Sequence, residues 1–314
     1  MKHKLTIVIC TYNRAHILPA ALESLLRQTV SPDDYSLLII DNNSTDDTQE
    51  VLIPFKNKFP HMRIVMEYNQ GIAYARTRTL HEVTTPWFAS LDSDAKAHPD
   101  WVETILKTIE KGDFDGFGGP YYAWHHYGPA PRWLPEDFGT YESPQGYGLL
   151  KGDTYIPGGN SVLRCDAARS IGTFSTELGM SGNRCGYGEE THFFERMRTA
   201  GYRMGYVPHL KIDHCVLPYK YTLRWQIRSA FEYGKSANYV ANIKKFFPLR
   251  FIFHCGRAIV NIVSFPFIQK ENKFFPRTVF KNLRQIIWDL GLLYERNLAK
   301  PYHLLLKIKE KFYA

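Results

Sequence analysis

The sequence predicts an α/β fold, a mostly parallel sheet with helices on both faces, followed by a helical, basic C-terminal extension. Three observations predict it. Continuous apolar runs alternate with segments of helical spacing through the first hundred residues, the pattern of strands buried on both faces. Three of those runs end in polar clusters. The net charge then changes sign late in the chain, with 21 Lys+Arg against 26 Asp+Glu up to His214 and 18 against 5 beyond it.

The elements follow in order. Leu5–Cys10 (LTIVIC) is a β-branched strand run, and His16–Arg27 carries Ile17, Ala21, Leu22, Leu25 and Leu26 at helical spacing. Leu37–Ile40 repeats the strand pattern, and the turn cluster Asp41–Asp47, which includes Asn43, can cap a helix running toward Leu52. Arg63–Met66 reads as a third strand, Gly71–His81 as a third helix, Trp87–Leu91 as a fourth strand and Trp101–Glu110 as a helix. From Gly116 to Gly159 the chain is rich in Gly, Pro and aromatics, and a loop of that length marks a binding surface or lid. Arg203–Pro208 is strand-like, and from Tyr221 onward the chain is helical, basic and aromatic. The implied domains are 1–219 and 220–314.

Composition narrows the function classes. With 314 residues, 44% hydrophobic and 15% aromatic, the chain is neither disordered nor fibrous. The five cysteines are widely spaced with no CxxC pair, which predicts reduced thiols of a cytosolic protein and no zinc site. The apolar run near the start is too short for a signal peptide. A nucleotide-sugar oxidoreductase would carry GxGxxG after the first strand, where this chain has TYNRAH. Nucleic-acid-binding motifs are absent, so no nucleic-acid partner is expected.

In open sheets of this kind ligands sit beyond the carboxyl ends of the strands. The clusters Thr11-Tyr12-Asn13-Arg14, Asp41–Asp47 and Asp92-Ser93-Asp94 share that edge. Asp92 and Asp94 lie two apart, so in continuing strand geometry both point to one face and reach one Mg²⁺ or Mn²⁺. A polar turn with a helix cap explains the same triplet. Glu189 and Glu190 follow glycines at a helix start, which suits simple capping and dipole complementarity, or a general base raised in pKa. His214 reads as a ligand or as a satisfied structural residue.

Taken in order over about residues 4–235, these pieces resemble the family 2 glycosyltransferases of the GT-A fold. The resemblance runs through Val8–Arg14, Ile40–Asp46, Asn69–Arg76, Leu91–Asp94, Pro157–Ser161, Ile171–Phe174 and Gly188–Glu190, then Ala200–Arg203. It implies transfer from a nucleotide-sugar, a UDP-sugar being favoured, to a hydroxyl of a saccharide or lipid-linked saccharide, with inversion. Thr11, Asn13, Asp41 and Arg76 would hold the nucleotide, with Tyr12, Arg14, Asn43 and Ser93 in the same set. Asp92 would face the ribose, Asp94 the divalent cation, and His214 would join them at the metal or diphosphate. The family's base falls on Glu190, where Glu replaces the usual Asp, and Glu189 is the substitute. The usual Asn and Gly after Arg76 are missing here. These two departures keep open a catalytically degenerate, membrane-associated binding protein.

Tyr122 and Trp124 are assigned to stack on acceptor sugars, with Gly159 and Asn160 bordering the acceptor site. In the tail, Tyr221–Lys235 is amphipathic with a basic face, and the apolar run Phe246–Ile268 is interrupted by Arg250, His254, Arg257 and two prolines. Interfacial helices at the inner face of an anionic membrane fit this pattern, and so does a helical subdomain packed on the core. The expected setting is cytoplasmic and peripheral, and a homo-oligomer is left open.

Overall fold

The computed structural model describes residues 3–152, 154–182, 184–240, 252–253, 256, 259–260 and 275–294. They divide into two compact units. The first comprises the described residues of 1–126, 139–183 and 189–216, and the second Tyr127–Phe138, Arg184–Gly188 and the described residues from Leu217 onward. Segments 127–138 and 184–188 thus group with the extension, although the sequence reading assigned them to the first domain.

The first unit opens with the expected alternation: β1 (Leu5–Thr11), α1 (Leu18–Leu26), β2 (Ser36–Asp41), α2 (Thr48–Lys56), β3 (Met62–Met66), α3 (Ile72–Glu82) and β4 (Trp87–Leu91). It continues through β5 (Ala95–Ala97), α4 (Trp101–Lys111), β6 (Gly116–Gly118), β7 (Tyr121–Trp124), β8 (Gly148–Leu149) and β9 (Asn160–Arg164). It closes with α5 (Cys165–Ile171), α6 (Glu189–Thr199), β10 (Met204–Tyr206) and β11 (Ile212–Cys215). The segment 116–159 is therefore not one long loop, because it supplies three strands.

Eight strands form one sheet in the order β3-β2-β1-β4-β9-β6-β10-β8. The first four are mutually parallel, and β9 runs antiparallel to both β4 and β6. Alternate residues of the central strands feed two cores. Ile7, Ile9, Leu37 and Ile39 pack with Leu22 of α1, Phe55 of α2 and Trp101 of α4. Val8, Leu38 and Ile40 pack with Ala73 of α3, Ala168 of α5 and Phe193 of α6. Burial on both faces explains why these strands read as solid apolar runs.

A second, three-stranded sheet has the order β5-β11-β7. Its strands are only three or four residues long and come from distant parts of the chain.

In the second unit, α7 (Leu223–Val240) and α8 (Phe275–Tyr294) form a close helix pair. A Cβ on Gly234 would lie 1.9 Å from the Trp288 carbonyl oxygen, and one on Gly291 would lie 2.0 Å from that of Phe231, so both glycines are required by the approach. Among the described residues no helix is long and apolar enough to cross a membrane. Most of the run Phe246–Ile268, read as interfacial from sequence, lies outside the described residues.

Candidate active site

The ends of β1 and β2 face each other in register, Thr11 opposite Asp41. Both side chains are buried, and Thr11 Oγ1 and Asp41 Oδ2 have no hydrogen-bond partner, while Asp41 Oδ1 accepts from the Ser44 amide. Two orphaned buried oxygens side by side are a costly arrangement unless a ligand completes them. Tyr12 and Arg14 are half-buried beside them.

Asn13 bridges two loops at this edge. Its amide oxygen accepts from the backbone of Thr45 and Asp46, and its own N–H donates to Ser44 Oγ, so it ties the two loops together. Asn43 is exposed in the left-handed region at φ 66°. Its neighbour Asn42, which the sequence reading passed over, is the buried organiser. Asn42 donates to the carbonyls of Glu67 and Asn69 and accepts from the Gly71 amide, locking the ends of β2 and β3 to the start of α3.

Asp92-Ser93-Asp94 is a turn between β4 and β5, closed by the Ala95 amide donating to the Asp92 carbonyl, and not the continuing strand expected. The carboxylates still converge, because β11 pairs antiparallel with β5 and sets His214 opposite Ala95. His214 Nε2 lies 3.6 Å from Asp92 Oδ2 and 3.3 Å from Asp94 Oδ1. One ligand atom from each of Asp92, Asp94 and His214 lies within 4.8 Å of the others. Ser93 is buried in the turn.

Arg76 lies with the glutamates. Its Nη1 is 3.0 Å from Glu189 Oε1 and 3.3 Å from Glu190 Oε2. Glu189 is nearly enclosed, whereas the Glu190 side chain keeps 26% of its surface. Burial, followed by the adjacent Glu190 carboxylate, raises the Glu189 pKa well above the usual carboxylate range, against the opposing pull of Arg76. Burial works against the Arg76 cation, yet its carboxylate neighbours outweigh it and hold the guanidinium charged. Both glutamates occupy the first turn of α6, where the helix dipole favours negative charge.

Gly158 and Gly159 join the two clusters. A Cβ on Gly158 would lie 2.6 Å from the Arg76 guanidinium, and one on Gly159 would lie 2.0 Å from the Asp92 carboxylate. The pair is a floor on which both charged groups rest. Asp92 has a raised pKa, from burial first and from Asp94, with His214 and Arg76 acting against it.

Three of the candidate acceptor residues have well-defined surroundings. Asn160 is fully buried, and its amide accepts from Trp101 Nε1 and donates to the carbonyls of Pro120 and Leu210. It ties these elements together. Tyr122 and Trp124 share a face of the small sheet with Asp213. Pairing sets His214 beside Ala123 and Asp213 beside Tyr122, and side chains alternate along a strand, so Tyr122 and Trp124 point with Asp213, away from His214. Their neighbours agree: Lys96 Nζ stands 3.9 Å over the Trp124 ring, and the His98 ring lies 6.3 Å from that of Tyr122. Tyr121 takes the His214 side, its ring 5.8 Å from the imidazole. Alternation alone could not choose between Tyr121 and Tyr122, because the choice depends on pairing with a strand ninety residues later.

A model of the family described as "Glycosyl transferase family 2" matches residues 6–172. The chain belongs to this family. As a family 2 glycosyltransferase it has a relative in the glucosyl-dolichyl phosphate glucuronosyltransferase of Haloferax volcanii, 27% identical over 243 residues, covering 74% of this chain and 76% of that protein. A second relative is the succinoglycan biosynthesis protein ExoM of Rhizobium meliloti, 29% identical over 237 residues, covering 73% of this chain and 72% of the other. The fold matches the mannosyltransferase PcManGT of Pyrobaculum calidifontis, solved with GDP-Man and Mn²⁺, at a TM-score of 0.63 and 16% identity over 94% of this chain and 88% of that one. It also matches S. aureus TarS with UDP-GlcNAc at 0.55 and 12% identity, covering 93% and 91%. The fold of this glycosyltransferase is GT-A.

Proposed function

We propose that this enzyme transfers a sugar from a nucleotide-sugar to a hydroxyl of a saccharide or lipid-linked saccharide, inverting the anomeric centre, with a UDP-sugar as favoured donor. The observation that carries the reading is the Gly158-Gly159 floor, which sets a three-ligand group beside an arginine-clamped acid pair. Thr11 and Asp41 offer the nucleotide base two unpartnered oxygens, Asp41 accepting a base N–H. Two carboxylate oxygens and an imidazole nitrogen suit Mn²⁺, and Mg²⁺ less well. Bound there, the cation would neutralise charge building on the departing diphosphate.

Glu190 is the better base of the two acids. It is the more exposed, so an acceptor hydroxyl can reach it, and Arg76 Nη1 lies 3.3 Å from its Oε2. In the step, the acceptor O–H proton passes to Glu190 while the oxygen forms a bond to the anomeric carbon. The bond from that carbon to the diphosphate oxygen breaks, and its electron pair leaves with the nucleoside diphosphate. Glu189, buried behind Arg76, fixes the guanidinium and sets its reach.

The test is Mn²⁺-dependent release of nucleoside diphosphate from a panel of nucleotide-sugars. Asp94→Ala is expected to abolish it, and Glu190→Gln to lower turnover at least ~100-fold with donor binding retained. Full activity of Asp94→Ala would remove the metal assignment, and a loss confined to Glu189→Gln would reassign the base. Donor binding by the wild type without any turnover would favour the binding-protein reading.

A further inference from the structure

The segment between β6 and β9 places Tyr121 beside the His214 imidazole and Tyr141 and Tyr155 beside Tyr121, and the transfer step uses none of the three tyrosines. Tyr121 N donates to the Tyr141 carbonyl and Tyr141 N to that of Tyr121, at 3.0 and 2.8 Å. The Tyr141 hydroxyl donates to the Tyr155 carbonyl and accepts from the Tyr155 amide, at 3.1 and 2.9 Å. The Tyr141 and Tyr155 rings lie 4.0 Å apart, and the Tyr121 and Tyr155 hydroxyl oxygens 3.4 Å apart. Tyr155 keeps 39% of its surface in solvent. The result is a shelf of aromatic faces, fixed by backbone hydrogen bonds, with phenolic oxygens along one edge.

We infer that Tyr121 and Tyr155 form the platform for a pyranose ring of the acceptor saccharide, with Tyr141 as the residue that positions them. A pyranose has an apolar C–H face and a rim of hydroxyls, which matches ring faces edged by phenols. Topology separates this platform from the donor side. Thr11 and Asp41 end β1 and β2, on one side of β4 in the sheet, whereas Tyr121 follows β6 on the other. The Asp92–Asp94 turn after β4 stands between them, so a nucleotide on the first side and an acceptor on the second meet at the turn. The inference rests on the transferase reading above and names the acceptor-binding residues within it.

The experiment is saturation-transfer NMR on the full chain with methyl pyranosides of glucose, galactose and mannose, with and without UDP and Mn²⁺. Wild type is expected to saturate the C–H protons of at least one pyranoside, and Tyr155→Ala and Tyr121→Ala to lose that signal. Trp124→Ala, on the opposite face of the small sheet, is expected to keep it. No saturation in the wild type, an undiminished signal in both tyrosine variants, or loss in Trp124→Ala overturns the platform. Nucleotide binding, followed in the same samples by titration with UDP or GDP and Mn²⁺, reads the donor side separately. Its absence sinks the transferase reading, whereas normal nucleotide binding with an unchanged pyranoside signal in the tyrosine variants sinks only the platform. Folding of each variant is checked by near-ultraviolet circular dichroism, and Tyr155→Phe, which retains the ring, is expected to retain most of the signal.

Discussion

Burial and the adjacent Glu190 carboxylate raise the pKa of Glu189 in the folded chain, while in the unfolded chain it returns to its ordinary value. The folded state then binds the proton more tightly, so this group's contribution is full below the unfolded pKa and is lost as pH rises through the folded one. Stability of the wild type should therefore fall over that interval by more than that of Glu189→Gln, and melting midpoints measured across the acidic to neutral range would show it. Parallel curves for the two proteins would mean that Arg76 compensates the charge fully. Burial similarly pushes the Cys10 thiol up to about 11, so iodoacetamide at neutral pH should label it only after unfolding. Rapid labelling of Cys10 in the native enzyme, read by mass spectrometry, would contradict that. Asp94 and His214 were legible as candidates one residue at a time, because two carboxylates at a strand mouth and a histidine after a short strand are visible patterns. The pairing of Arg76 with the glutamates was not, since those partners lie more than a hundred residues apart and nothing local links them.

At the scale of elements, Asn160 holds three of them together: its amide ties the Trp101 indole of α4, the Pro120 carbonyl before β7 and the Leu210 carbonyl before β11. Asn160→Ala leaves a buried indole N–H and two carbonyls unpaired, and a loss of ~3 kcal/mol is expected from their combined desolvation. Urea or thermal unfolding measures it, and a loss below about 1 kcal/mol would mean that water replaces the amide. Gly159→Ala should act on the neighbouring turn, because the added Cβ has no room beside the Asp92 carboxylate. With Mn²⁺ held by Asp92, Asp94 and His214 as proposed above, Mn²⁺ binding should weaken roughly tenfold or more, the usual cost of disturbing a group that orients a metal ligand. Electron paramagnetic resonance titration of free Mn²⁺ would detect it. The strands β1, β2 and β4 were readable because burial on both faces leaves an unbroken apolar run. The small sheet was not readable, because its strands are too short for periodicity and exist only through pairing across the chain. The antiparallel insertion of β9 between β4 and β6 escaped for the same reason.

For the whole molecule, charge is distributed very unevenly, with a net −5 up to His214 and +13 over the last hundred residues. Within the second unit, Leu223 and Ile227 of α7 and Leu283 and Leu290 of α8 are exposed, so apolar surface accompanies the basic charge. A basic segment near an anionic bilayer gains about 1 kcal/mol per Lys or Arg, and this attraction is screened within ~10 Å at 0.1 M salt. We propose that the extension from residue 220 carries the enzyme to an anionic membrane surface. The full chain should float with vesicles containing phosphatidylserine at low salt, be released at high salt, and ignore vesicles of phosphatidylcholine alone. Replacing Arg224 and Arg228 of α7 with Glu should weaken flotation while leaving nucleoside diphosphate release from the donor unchanged, because neither residue belongs to the catalytic group. Flotation that persists at high salt would shift the weight to the exposed apolar residues. No flotation at any salt would mean that this charge serves packing on the protein itself.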